Sequence, residues 1–154
     1  MNIEITLPDE SVRTYEKAIT GEEIAFDIGP KLGKDAVAIE INRKLYDTSY
    51  VMTENASIKI LTKQDIQSLS ILRHSSAHLL AQAVLNLYPG TLYGVGPDIE
   101  DGFYYDFLFK ENISVADLPK IEKEMLKLSK ANQQFIKSVQ KKPDAMDLFK
   151  NQQF

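Results

Sequence analysis

AVAIEINRKLY, residues 36–46, carries the strongest strand signal of the chain and decides how its first part folds. The apolar and β-branched residues of 36–41 favour an extended segment. Asn42-Arg43-Lys44 has the composition of a turn, and Leu45 begins a second strand after it. The stretch therefore predicts two short strands joined by a tight turn.

The segments on the amino-terminal side predict a hairpin and one helix. Apolar and polar residues alternate in NIEITLP, residues 2–8, and VRTY, residues 12–15, can return as a second strand. Thr20 followed by Glu23 is a capping box that opens a short helix, which Gly29-Pro30 ends. A strand pattern thus stands on each side of a predicted helix.

The residues after the turn complete a small domain. SIKIL, residues 57–61, alternates cleanly and predicts another strand. The order β-β-α-β-β-β over about sixty residues predicts a mixed sheet that covers one helix. Residues 1–62 are therefore expected to adopt a β-grasp (ubiquitin-like) fold.

A second unit, residues 63–154, is predicted to be built around one central helix. TKQD, residues 62–65, resembles a capping box, and the helix should run from Asp65 to Tyr88 before Pro89-Gly90 ends it. Its apolar residues form two opposite stripes, which predicts a helix sandwiched between other elements.

The only two histidines of the chain, His74 and His78, lie four residues apart on one face of this helix. Their rings can converge on one point, which suits a divalent metal or two groups that share one water molecule. A metal would need Asp or Glu as further ligands, because the chain has no cysteine. Two hydrogen-bonded core histidines are the structural alternative. In a cleft, desolvation would keep the imidazoles neutral.

A glycine-rich loop and an aromatic segment follow the helix. Gly94, Gly96, Pro97 and Gly102 mark a tight loop, and FYYDFLF, residues 103–109, predicts a strand. Both features are compatible with turns and core packing as well as with a binding site. A last helix is predicted over 117–139, with Phe135 in its apolar stripe. Its lysines form either a solvated face or an RNA-backbone contact. These lysines are Lys120, Lys123, Lys127, Lys130, Lys137 and Lys141.

The composition narrows the possible classes of protein. The chain has 154 residues with a net charge of −4, which argues against strong nucleic-acid binding by the chain alone. The absence of cysteine excludes a disulfide framework and a cysteine-based zinc site within it. No run approaches the roughly 18 apolar residues of a membrane span, and the first residues do not read as a signal peptide. We expect a cytoplasmic protein that makes no membrane contact.

Two motifs in this order carry a resemblance to a known family. LRHSSAHLLAQAV (72–84), followed by GPDIEDGFYYDF (96–107), resembles the start of the editing domain of bacterial threonyl-tRNA synthetases. ITLPDESVRTYEKAITGEEIAFDIGPKLGKDAVAIEINRKL (5–45) is similar to the TGS domain that precedes it. The resemblance implies an α+β chain with a β-grasp TGS domain at 1–62. A truncated amino-terminal part of the editing domain would occupy 63–154.

The resemblance also implies a function. The parent enzyme would ligate threonine to tRNA(Thr) with ATP, and this region would contribute to hydrolysis of mischarged seryl-tRNA(Thr). His74 would position or deprotonate the attacking water, and His78 would orient that water or the terminal ribose. The backbone at Gly96-Pro97 and three aromatic side chains would shape the seryl pocket. These side chains are Phe103, Tyr104 and Tyr105.

Further expectations concern cofactors and partners. No metal or cofactor is expected in this chain, whereas the absent catalytic core of the parent would use ATP, Mg and a zinc. The expected partners are the acceptor end of tRNA(Thr) and serine or threonine as aminoacyl groups. The fragment, expected to be monomeric and inactive alone, would belong to a homodimeric parent. A stand-alone trans-editing hydrolase and a non-enzymatic RNA- or ligand-binding TGS module are the alternative functions.

Overall fold

The computed structural model describes residues 2–133, 136 and 138–151. The chain forms two compact units, residues 1–72 and residues 73–154. This division cuts through a helix, so the boundary expected after residue 62 stays a prediction. No helix within the described ranges is both long enough and apolar enough to cross a membrane.

A five-stranded mixed sheet forms the first unit. Its strand order is β2-β1-β7-β4-β5, with β1 parallel to β7 and all other neighbours antiparallel. A separate two-stranded ladder pairs β3 with β6. The strands are β1 (Ile3–Thr6), β2 (Val12–Tyr15), β3 (Ile19–Thr20), β4 (Ala36–Ile41), β5 (Lys44–Tyr46), β6 (Val51–Met52) and β7 (Ala56–Thr62).

The predicted turn between β4 and β5 has the geometry that a tight hairpin requires. Asn42 and Arg43 both have positive φ, 51° and 65°, and Ile41 pairs with Lys44 across the ladder. Two consecutive left-handed residues define a type I′ turn, whose twist matches that of the flanking strands. The prediction of two strands joined at this point is confirmed.

The predicted capping box begins α1 (Gly21–Ile28). The Thr20 hydroxyl accepts a hydrogen bond from the Glu23 amide at 3.1 Å, and the Glu23 carboxylate accepts one from the Thr20 amide at 2.8 Å. A Cβ on Gly21 would lie 2.5 Å from a methyl carbon of Ile39, so the helix start lies close against β4. After Gly29 a short second helix follows, α2 (Pro30–Asp35).

Side chains from both the strands and α1 form the core of the first unit. Ile5, Ile24 and Ile39 are fully buried. The β-grasp prediction is confirmed, with α2, β3 and β6 as additions that the sequence pattern did not predict. The buried cluster consists of Ile3, Ile5, Ile19, Ile24, Ile39, Met52 and Ile58.

The second unit contains the larger part of the long helix α3 (Ile66–Leu87), whose ends lie within one residue of the predicted ones. Side chains of α3 and α4 share a core that includes Val84 and Ile121. Asn86 donates a hydrogen bond to Glu124 at 3.2 Å across these two helices. The other elements are β8 (Leu92–Tyr93), β9 (Asp98–Ile99), β10 (Gly102–Phe103), β11 (Phe107–Leu108), a 3₁₀ turn (Val115–Asp117), α4 (Leu118–Lys130) and α5 (Lys142–Leu148).

Three expectations need correction. The helix predicted over 117–139 ends at Lys130, since Asn132 has a positive φ of 49° that no α-helix contains; Phe135 and Lys137 lie outside the described residues. The predicted strand 103–109 is interrupted, because it belongs to two different ladders. The prediction that other elements cover the helix on both sides is wrong for the first turns of α3, where Leu69 and Leu72 remain 46% and 40% exposed.

Truncation of Ile39 should destabilise the first unit strongly. The side chain is fully buried beneath α1, so Ile39→Ala should lower the free energy of unfolding by about 2–5 kcal/mol. The measurement is hydrogen exchange of the slowest amides in β1 and β7. Ile66→Ala is the matched control because Ile66 is 88% exposed. This variant should change the free energy of unfolding by less than about 0.5 kcal/mol. Equal effects of the two variants would contradict this description of the core.

Candidate functional site

The two histidines face each other on consecutive turns of α3. Their Nε2 atoms are 3.1 Å apart, and the ring planes meet at 85° with centroids 4.6 Å apart. The helix brings this about through its period, because residues i and i+4 lie one above the other on the same face. The convergence predicted from the spacing of His74 and His78 is therefore present.

This distance restricts the protonation of the pair. One Nε2 must carry the hydrogen and the other must supply a lone pair, so the two neutral rings are different tautomers. A doubly protonated pair would point two N–H groups at each other. The pair therefore accommodates one positive charge far better than two.

Burial and charge favour the neutral form of His78. Desolvation lowers the pKa of His78 below 6.5, and a charge on His74 lowers it further. Both side chains are nevertheless exposed. Desolvation thus lowers the pKa of His78, as expected for a histidine in a cleft. The two histidines are, however, more exposed than the expected cleft would leave them.

Tyr105 connects the histidine pair to the glycine-rich loop. Its ring makes a T-shaped contact with that of His78 at a centroid distance of 6.4 Å, and it stacks on Phe107 at 4.9 Å. A Cβ added to Gly96 would collide with the Tyr105 ring, so only a residue without a side chain fits there. Of the seven predicted site residues, the structure thus brings together His74, His78, Tyr105 and Gly96.

The other three predicted residues lie in or beside the β9–β10 hairpin. Pro97 directly precedes β9, and Phe103 pairs with Asp98 in the ladder. Tyr104 follows β10 and is 47% exposed. Within the described part of the chain, neither Phe103 nor Tyr104 makes a ring contact with a histidine.

Arg73 is a residue of this region that sequence reasoning missed. Its Nη1 donates hydrogen bonds to the backbone carbonyls of Ile99 at 3.1 Å and Glu100 at 2.6 Å. These bonds join α3 to the tip of the β9–β10 hairpin. The available signal was that Arg73, directly before His74, is the one lysine, arginine, aspartate or glutamate of α3.

An apolar groove lies beside the site, with a volume of about 480 Å³. None of the seven predicted site residues lines it. Across residues 2–133, 136 and 138–151, no group of three or more His, Asp or Glu side chains is arranged to hold a metal ion. The Nε2 separation of 3.1 Å gives the two histidines the geometry of a hydrogen-bonded pair. The groove is lined by Gly94, Val95, Asp106, Phe107 and Leu108.

Comparison with known proteins finds similarity within the first unit and along nearly the whole chain. Residues 3–62 match the model of the TGS domain family. Over 94–97% of its length the chain is similar to bacterial threonine–tRNA ligases. It is thus related to the amino-terminal region of threonyl-tRNA synthetases, as its motifs indicate.

Three relatives illustrate the extent of this similarity. The threonine–tRNA ligase of Acidiphilium cryptum (strain JF-5) is 45% identical over 145 residues, which is 94% of this chain and 23% of the ligase. That of Thiobacillus denitrificans (strain ATCC 25259 / T1) is 44% identical over 147 residues, 96% and 23% respectively. That of Francisella tularensis subsp. novicida (strain U112) is 43% identical over 150 residues, 97% and 24%. The chain therefore spans about a quarter of the length of these curated relatives.

The lowered pKa of His78 can be measured by NMR titration, because the chain has only two histidines. We expect the folded pair to titrate with at least one apparent pKa below 6.5. In His74→Asn the pKa of His78 should rise toward 6.5 without reaching it, because the like charge is removed while desolvation remains. The control is the chain unfolded in urea, in which a histidine is expected to have its ordinary pKa of about 6.5.

The sign of the shift also fixes a stability effect. Because the unfolded chain binds a proton on His78 more readily, the folded state should lose stability as the pH falls below about 6.5. A His78 that titrates at its ordinary pKa in the folded chain would contradict the assigned environment.

Proposed function

We propose that this chain is the amino-terminal region of a threonine–tRNA ligase and that residues 73–154 contribute to hydrolysis of seryl-tRNA(Thr). The observation that carries the proposal is the His74–His78 pair, with Nε2 atoms 3.1 Å apart. The similarity of nearly the entire chain to threonine–tRNA ligases supports it. A ligase of this class works in the cytosol, where tRNA is charged.

The physical need for such a hydrolysis follows from the size of the two amino acids. Serine lacks one methyl group of threonine, and a methyl in a binding pocket contributes only about 1–3 kcal/mol of discrimination. A ligase for threonine therefore charges some tRNA with serine. A second site that removes serine raises the overall accuracy without a better synthetic site.

The reaction is attack of water on the ester that joins serine to the terminal ribose. A bond forms between the water oxygen and the carbonyl carbon while the bond from that carbon to the ribose oxygen breaks. A neutral imidazole accepts the proton of the water and returns it to the departing ribose oxygen. The products are free serine and uncharged tRNA(Thr), and no group outside the chain is required for the proton balance.

The hydrogen bond between the two rings determines which nitrogen is available. One Nε2 lone pair is occupied by the other ring, so a base must be either the free Nδ1 of the donor ring or an Nε2 released when the pair opens. Desolvation disfavours a charge on His78. This makes His78 the poorer carrier of the transferred proton and supports His74 as the base, with His78 as its hydrogen-bonding partner.

The seryl group would bind between the histidines and the glycine-rich loop. Gly96 packs directly against the ring of Tyr105, and that ring faces His78. Pro97, Phe103 and Tyr104 would extend this wall toward the terminal adenosine. Small differences in the position of this wall are sufficient to accept serine and exclude the extra methyl of threonine.

The remaining partners and cofactors follow from the ligase. The partner of this region is the acceptor end of tRNA(Thr), which delivers serine or threonine as an ester. ATP, Mg and zinc would serve aminoacylation in other parts of a homodimeric ligase. Editing without a metal in this region stays part of the proposal.

The test is deacylation of seryl-tRNA(Thr) by the full-length ligase that contains this region. Loss of a positioned base costs about 10²–10⁴-fold in rate, so the double variant His74→Ala, His78→Ala should lose at least two orders of magnitude. Aminoacylation with threonine by the same preparation should stay within a factor of about two, because that step uses other parts of the ligase.

Single variants separate the two roles. His74→Ala should lower the rate of deacylation about 10²–10⁴-fold because the base is lost, whereas His78→Ala should lower it less because only the hydrogen-bonding partner is lost. Parental deacylation by the double variant would overturn the proposal. A reading frame that ends at Phe154, together with seryl-tRNA hydrolysis by the chain itself, would favour a stand-alone editing hydrolase.

A further inference from the structure

The Arg73 side chain is held by two backbone carbonyls of one hairpin. Nη1 lies 3.1 Å from the oxygen of Ile99 and 2.6 Å from that of Glu100, at the end of β9 and the start of the turn. Nη1 carries two hydrogens, so each carbonyl can accept its own bond. Bonds from a charged donor are stronger than those between neutral groups, and this pair fixes the hairpin tip in two directions.

The hairpin connects the Gly96-Pro97 segment to the Tyr104-Tyr105 segment, whose Tyr105 ring contacts His78. The chain enters β9 directly after Gly96-Pro97 and leaves β10 into Tyr104-Tyr105. Beyond the hairpin, the Gly94 amide donates to the Asp106 carbonyl at 2.9 Å, and the Asp106 amide donates to the Val95 carbonyl at 3.0 Å. The segment around Gly96 and Tyr105 is thus fixed at one end by this ladder and at the other by Arg73.

Arg73 directly precedes His74 on α3, so both residues belong to one turn of helix. A displacement of the hairpin relative to α3 would therefore change the distance between Tyr105 and His78, which are now 6.4 Å apart by ring centroid. The acceptors of Arg73 are carbonyls, which do not titrate, and arginine stays protonated throughout the physiological range. The contact therefore does not depend on the protonation of its acceptors.

We propose that Arg73 is a positioning residue for the seryl-binding side of the editing site. By holding the β9–β10 hairpin on α3, it sets the distance of Gly96 and Tyr105 from the histidine pair and thereby the size of the group that fits between them. This inference rests on the proposed function. Arg73 acts through the hairpin and takes no part in proton transfer.

The experiment compares Arg73→Met and Arg73→Lys in the full-length ligase. Steady-state deacylation of seryl-tRNA(Thr) and threonyl-tRNA(Thr) is measured with each, together with the pH profile at saturating substrate. Arg73→Met removes both hydrogen bonds and keeps an apolar stem of similar length. It should raise KM for seryl-tRNA about 10- to 100-fold, leave kcat within about threefold and reduce the preference for serine over threonine. The pH profile should keep its shape.

Arg73→Lys tests whether the donor or the bulk of the side chain matters. Lysine keeps the charge and can donate to one carbonyl but lacks the fork, so it should restore part of the affinity. Arg13→Met is the matched control, because Arg13 is a partly exposed arginine bound to Asp27 in the first unit. It should leave KM, kcat and the serine preference unchanged.

The outcomes distinguish the inference from its alternatives. If Arg73 only stabilised the fold, Arg73→Met would lower the melting temperature and the active fraction. Its kcat would then fall at constant KM and constant serine preference, and that result overturns the inference. Unchanged kinetics of Arg73→Met also overturn it. If the parent ligase itself does not hydrolyse seryl-tRNA(Thr), the proposed function fails instead, and if the histidine variants lose activity while Arg73→Met does not, only the inference fails.

Discussion

The period of helix α3 is the constraint on which the arrangement of residues 73–154 depends. With 3.6 residues per turn, the helix places His74 and His78 on the same face and directs Arg73 toward the β9–β10 hairpin. The same helix uses another face, with Ala83 and Val84, to pack against α4. One rigid helix therefore sets the histidine geometry, the position of the hairpin and the packing of the core. An insertion or deletion that rotated one part of α3 relative to the rest would disturb all three.

The first unit shows how far local sequence signals determine a fold. The capping box at Thr20, the turn at Asn42 and the alternation in β7 are local features, and each appears in the structure at the residues that carry it. The ladder of β3 with β6 was not predictable in this way. Each of those strands has two residues and pairs across about thirty others, so its formation depends on the partner and not on its own composition.

The second unit shows the limits of the same reasoning. Helical spacing alone predicted that the histidine rings converge, but spacing carries no information on exposure, and both side chains proved exposed. The partners of Arg73 are main-chain carbonyls, which have the same chemistry at every residue, so no motif could indicate them. The aromatic run after Gly102 is strand-like in composition, yet its two ends join different partners, β9 and β8.

The parallel pairing of β1 with β7 has a consequence for synthesis of the chain. Ile5 is opposite Ala56, so the central ladder of the sheet joins residues that leave the ribosome about fifty positions apart. At 5–20 residues per second the first strand waits roughly 3–10 s for its neighbour. During this interval the β1–β2 hairpin can close locally while one of its edges stays unpaired. The free edge of nascent β1 is therefore an open template for other extended chains until β7 emerges.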